Sequence, residues 1–100
     1  MATLTTAQIR HLCRVASWTK GYDINQYGTR IATLRVLNRL GMIATRTVFD
    51  RRAREDVRRE FATDTGIAEL RRLAMDVTLD RHTAQRVREA LAEVDAPRRK

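Results

Sequence analysis

Between residues 29 and 49 the spacing of apolar positions changes once, at Gly41. Leu34, Leu37 and Leu40 recur every three residues and so share one side of a helix, whereas Arg35, Asn38 and Arg39 fall largely on another side. The spacing predicts a short helix over 29–40 with a basic polar face. Glycine adopts the left-handed conformation that ends a helix without steric cost. Beyond it, Met42, Ile43, Val48 and Phe49, interleaved with Thr45 and Thr47, suit a half-buried strand.

The rest of the chain divides in the same way. Thr5 and Gln8 have capping-box spacing, and Ile9, Leu12, Cys13 and Ala16 mark an amphipathic helix that reaches about Trp18 and stops before Gly21. Tyr22 to Gly28 has room for one or two helical turns, with Asp23 as a cap and Tyr22, Ile24 and Tyr27 as apolar anchors. Met42–Phe49 reads as a strand, Asp50–Asp56 as a charged turn and Val57–Thr63 as a returning strand. A continuous helix competes with this hairpin, because Phe49, Ala53, Val57 and Phe61 are spaced four apart among good helix formers. The β-branched residues before Asp50 favour the hairpin. Thr63–Gly66 is a break under both readings. Ile67, Leu70, Ala74 and Val77 then define a further helix, and Ala84, Val87, Leu91 and Val94 continue at nearly heptad spacing to Asp95. The expected class is mainly α with a small β-hairpin (α+β), with a first domain over 1–78, a C-terminal helix over 79–96 and a basic tail over 97–100.

Composition narrows the function classes. A chain of 100 residues buries about two-thirds of its unfolded surface, enough for one modest core. No apolar run approaches the roughly 20 residues needed to cross a bilayer, and Met1–Arg14 lacks the basic start and apolar block of a secretory signal. A cytoplasmic, nucleoid-associated location is therefore expected, with no membrane partner. The single Cys13, at an apolar helix position, reads as a small core residue. Net charge is +8, and it is concentrated: residues 1–28 carry +2, residues 29–62 carry +5 and residues 63–100 carry +1. The excess coincides with the basic helix and the hairpin, as a phosphate-facing surface requires. Because 18 of the 20 basic residues are Arg, codon bias in a GC-rich genome is the competing explanation.

The order of these pieces resembles the winged helix-turn-helix transcription regulators of the multiple-antibiotic-resistance and related repressor types. LRVLNRLGMI looks like the end of a recognition helix running into the wing, Asp50-Arg51-Arg52-Ala53 like a charged wing tip, and Glu60-Phe61-Ala62-Thr63-Asp64-Thr65-Gly66 like the returning strand and the cap of the next helix. The likeness spans about residues 5–75. It implies a winged helix-turn-helix with an additional C-terminal helix, in which Arg35 and Arg39 enter the major groove and Arg51 or Arg52 reaches the minor groove. Two features depart from the pattern: the scaffold helix is squeezed into YDINQYG, and the long flanking dimer helices are absent or shortened.

Taken with side-chain chemistry, this assigns Thr29, Arg30, Arg35, Asn38 and Arg39 to base and groove contacts, since Arg pairs bidentately with guanine and Asn with adenine. Arg46, Arg51, Arg52, Arg54, Arg58 and Arg59 are assigned to phosphates or a narrow minor groove, or else to surface pairs with Glu55, Asp56 and Glu60. Trp18, Tyr22 and Tyr27 read as packing residues more than as base-stacking platforms. The stripe Ala84, Val87, Leu91 and Val94 is assigned to dimerisation, which would space two reading heads on a palindromic site, or else packs back on its own domain. No cofactor, metal, small-molecule ligand or enzymatic activity is expected: His11 and His82 are isolated and read as surface residues, and neither a phosphate loop nor a nucleophile motif is present. The expected function is sequence-specific binding of double-stranded DNA, as a repressor-like regulator of bacterial, phage or plasmid type. The alternative is a small helical adaptor whose basic segment 46–62 binds RNA or an acidic protein partner.

Overall fold

Thr5 starts the first helix as its spacing predicts: its hydroxyl accepts from the Gln8 amide at 3.2 Å, and the Gln8 side chain accepts from the Thr5 amide at 2.9 Å. The computed structural model describes residues 3–23 and 30–96. Among these it forms an α+β fold in the order α1 (Thr6–Ser17), α2 (Ile31–Arg39), β1 (Ile43–Asp50), β2 (Glu55–Ala62), α3 (Asp64–Ala74) and α4 (Arg81–Asp95). The readings that fall on Ile24, Tyr27, Thr29 and the tail 97–100 lie outside the described residues.

Segment 46–62 is a hairpin and not a helix. β1 and β2 pair antiparallel, with Ile43 opposite Ala62, Val48 opposite Val57 and Asp50 opposite Glu55. β-Branched residues pack well on such a pleated pair, whereas a helix would restrict their side-chain rotation. The turn is tighter than the expected Asp50–Asp56, because Asp50 organises it. Its Oδ1 accepts from the Arg52 and Ala53 amides at 2.8 and 3.2 Å, and its carbonyl accepts from the Arg54 amide at 2.7 Å. Arg54 takes φ 55°, the left-handed turn residue that lets Glu55 and Asp56 rejoin the ladder.

A third backbone segment joins the hairpin root. Tyr22 donates to the Glu60 carbonyl at 2.8 Å and accepts from the Glu60 amide at 2.9 Å, forming an antiparallel bridge. Gly21 makes this approach feasible: it sits at φ 111°, and a Cβ there would lie 2.6 Å from the Arg59 Cβ. Gly41, at φ 72°, closes α2 as expected.

The core draws on every helix and on the hairpin root: Ile9, Leu12 and Val15 from α1, Leu37 from α2, Ile43 from β1, Leu70 and Leu73 from α3, Val87 and Ala90 from α4, with Tyr22 among them. Several expectations change here. The Val87 side of α4 packs on α1 and α3, so the division at residue 78 does not mark a second core. Val87 is fully buried and Leu91 and Val94 pack against the same cluster, so three of the four stripe residues contribute to this chain's own core, while Ala84 is half-buried outside it. Small residues on α1, Cys13 and Ala16, are buried beneath it. In α3 it is Leu73, not Ala74, that turns inward, and Val77 is 96% exposed because the helix ends at Ala74. Asp76 then accepts from the Thr78 amide and hydroxyl, and Asp80 accepts from the Thr83 amide at 3.0 Å to start α4.

His11 also departs from its expected surface position. It is buried, with its ring edge-on to Tyr22 at a centroid distance of 5.6 Å. Burial and, secondarily, the Arg14 charge push its pKa below the ordinary histidine value.

Candidate nucleic-acid interface

α2 is held by its leucines. Leu37 is fully buried, and Leu34 and Leu40 pack against the core, which turns Arg35, Asn38 and Arg39 outward on one exposed side. Arg30 stands exposed at the N-cap of the same helix. Thr63 fixes the end of α2: its amide donates to the Met42 carbonyl at 3.0 Å, its hydroxyl donates to the Gly41 carbonyl, and the same oxygen accepts from the Gly66 amide at 3.1 Å. One threonine thus joins the end of α2 to the cap of α3; the break expected over Thr63–Gly66 is confined to Thr63, because Asp64, Thr65 and Gly66 already form the first turn of α3.

The arginines of the hairpin fall into three groups. Arg51, Arg52 and Arg54 occupy the four-residue tip and are exposed. Arg58 lies opposite Thr47 on one face of the ladder, while Arg46 lies opposite Arg59 on the other, because neighbouring residues alternate between faces. The Arg46 guanidinium sits 4.6 Å from the centre of the Phe61 ring, a cation–π contact at the base of the hairpin. With Phe61, Val15, Trp18 and Val94 it lines a cleft between the hairpin root and the helices. Arg46 is therefore placed apart from the tip cluster.

Arg59 has a structural task. Its Nη2 lies 3.3 Å from Asp50 Oδ2 and 3.7 Å from Asp23 Oδ2, tying β2 to the turn and to the bridging segment. Asp50 accordingly titrates below the usual carboxylate range, through the Ala53 and Arg52 amides first and the Arg59 and Arg52 charges afterwards. The expected surface pairing of hairpin arginines with Glu60 does not occur, because Glu60 is buried. Its Oε1 accepts from the Thr45 hydroxyl at 3.0 Å, and its Oε2 has no partner among the described residues. Among the described residues Arg35, Arg39, Arg51, Arg52, Arg54 and Arg58 make no ion pair.

The aromatics divide as well. Tyr22 is fully buried, whereas Trp18, packed edge-on to it at 6.1 Å, is 42% exposed. Phe49, near the hairpin end, is 63% exposed. Cys13 is buried, and burial pushes its thiol pKa up to about 11, against a smaller opposing effect of Arg86. No helix among the described residues is long and apolar enough to cross a membrane. Sequence reasoning missed the Tyr22–Glu60 bridge and the basic surface of α1. For the second a signal existed in the one-turn spacing of Arg10 and Arg14 on a helix without a single acid.

The chain matches no protein-family profile, no curated protein and no solved structure.

Proposed function

We propose that this chain is a sequence-specific double-stranded DNA-binding protein of winged helix-turn-helix architecture, a repressor-like transcription regulator acting on nucleoid DNA in the cytoplasm. The observation that carries the reading is one exposed helical face, Arg35, Asn38 and Arg39, followed in the chain by a hairpin whose tip bears Arg51, Arg52 and Arg54 without ion-pair partners among the described residues. The order helix, bridging residue, helix, hairpin, with the bridge on the second strand, supports the winged architecture.

On this reading the two surfaces divide the work. α2 lies in the major groove, where each good bidentate contact from Arg35, Asn38 or Arg39 is worth about 1–3 kcal/mol of discrimination between bases. The tip and Arg58 meet phosphates or a narrow minor groove and set register and salt dependence. A homodimer on a palindromic site belongs to the proposal, with the copies meeting on a surface other than the α4 stripe. The adaptor alternative rested on a continuous helix over 46–62, and that segment is a hairpin.

The test is selection of bound duplexes from a random pool, followed by titration of two variants against the selected site and an unrelated duplex. Arg35→Ala is expected to flatten the preference between the two, and Arg52→Ala to weaken both alike while making the salt dependence shallower by about one contact. Equal losses on both duplexes for both variants overturn the division of labour, and absence of binding in dilute salt overturns the function.

A further inference from the structure

Arg10 and Arg14 stand one helical turn apart on the exposed side of α1, about 6 Å along its axis. They form a ridge between two shallow grooves. On one side they line a groove with Arg30 and Thr33 at the start of α2. On the other they line a groove with Arg86 and Glu89 of α4. Arg30 at the N-cap of α2, Arg10 and Arg14 on α1 and Arg86 on α4 thus line two grooves that share the Arg10–Arg14 ridge. α1 contains no acidic residue, and among the described residues none of the four arginines makes an ion pair. The grooves' one carboxylate, Glu89, accepts a hydrogen bond from the Gln85 side chain at 3.0 Å.

Like charges one turn apart on a helix repel, so the Arg10–Arg14 spacing works against α1 rather than for it. The Arg14 charge is felt at the neighbouring His11, where it adds to the larger effect of burial in lowering the imidazole pKa. A run of fixed cations of this kind is matched by a polyanion of regular spacing, and displaced counterions then supply the driving force. Guanidinium groups, with several donors on a planar fork, suit phosphate oxygens.

We propose that Arg10, Arg14 and Arg86, together with Arg30, which stands at the N-cap of α2 and is thereby reassigned from base contacts, form a second phosphate-binding track, which holds the sugar–phosphate backbone of duplex DNA flanking the site read by α2. This rests on the DNA-binding reading of α2 and the hairpin and extends its footprint across α1 to α4. The track contacts phosphates only, so it adds affinity and salt dependence without changing base preference.

The experiment measures binding of the 100-residue chain to a selected duplex by fluorescence anisotropy over a series of potassium chloride concentrations, for the unmodified protein, the double variant R10Q/R14Q, the double variant R10K/R14K and R88Q. Arg88 is an exposed residue of α4 outside both grooves. Loss of two phosphate contacts makes the plot of log affinity against log salt shallower by about 1.8 for R10Q/R14Q, at about 0.9 per contact, with the ratio of affinities for selected and unrelated duplexes unchanged. R10K/R14K restores most of the slope, because a phosphate contact needs chiefly the charge, and R88Q keeps it entire. Thermal midpoints confirm that all variants fold; removing the repelling pair should leave the midpoint unchanged or raise it. If the unmodified protein binds duplex DNA and R10Q/R14Q shows the same slope, the track is refuted while the reading of α2 and the hairpin stands. If the unmodified protein ignores duplex DNA and binds single-stranded RNA or an acidic protein instead, both fall together.

Discussion

Tyr22 and Glu60 exchange both backbone hydrogen bonds, at 2.8 and 2.9 Å, while Tyr22 packs its ring against His11 on α1 and Trp18 at its C-cap. This residue adds a backbone link between the root of the hairpin and the segment after the first helix, beside the side-chain packing of Ile43 in the same core as Leu12 and Val15. The orientation of the hairpin relative to the helical body is therefore set in part by a backbone pairing outside the two-stranded ladder, together with the burial of Ile43.

Gly21 is where that attachment is most easily broken. A side chain there meets both a left-handed backbone and the Arg59 Cβ at 2.6 Å, whereas at Gly41 nothing lies within 4 Å of an added Cβ. Gly41→Ala should cost about 1–2 kcal/mol, the ordinary left-handed penalty. Gly21→Ala should cost more, about 2–4 kcal/mol, as overpacking adds to the same penalty. Urea unfolding midpoints of the two variants give the comparison, and an inverted order would show that the bridge gives way without cost.

His11 makes stability depend on pH near neutrality. Its folded pKa lies below the unfolded value of about 6.5, so the unfolded chain takes up the proton first as pH falls. The His11 contribution is complete above pH ~6.5 and is lost as the pH drops from there through the lower folded value. His11→Gln should flatten the dependence of the thermal midpoint on pH across that window. An unchanged slope would assign the effect elsewhere.

Asp50 titrates in a different range. Because two amides and, secondarily, the charges of Arg59 and Arg52 hold its carboxylate below the usual value, the turn should stay intact through pH ~3.9 and loosen only on further acidification. The amide resonances of Arg52 and Ala53 should shift together in that low range. Asp50→Asn should remove the transition and broaden the tip signals without shifting those of α1.

Val87→Ala tests the placement of α4. The residue is fully buried within one chain, so truncation should cost about 1–3 kcal/mol through lost burial and a small cavity. That loss should be the same at micromolar and at a hundredfold higher protein concentration. A loss that vanishes at high concentration would return the stripe to an interface between copies.

The sequence was most informative where local rules and packing coincide. The Thr5–Gln8 box, the Leu34–Leu37–Leu40 side of α2 and the Gly41 stop each depend on residues within one turn of one another, and each is found in place. The hairpin was legible from the threonines and β-branched residues of β1, against a helical pattern in Phe49, Ala53, Val57 and Phe61 that proves to scatter over exposed strand, turn and root. What stayed hidden depended on contacts distant in sequence. Nothing near Glu60 announces that its carboxylate is buried beside Thr45, and nothing near Val87 shows whether its stripe faces α1 or a second copy. For the candidate interface, the exposure of Arg35, Asn38 and Arg39 followed from periodicity. The separation of Arg46 and Arg59 from the tip arginines emerges only once strand register assigns faces.

Arg54 bears on any attempt to make this molecule hardier. A search for thermostabilising replacements would rank glycine first at that position, since φ 55° is effortless for glycine and costs energy for most side chains. Following that advice would blunt the charged end of the hairpin, so the most robust version of this chain and the most cationic one are different proteins.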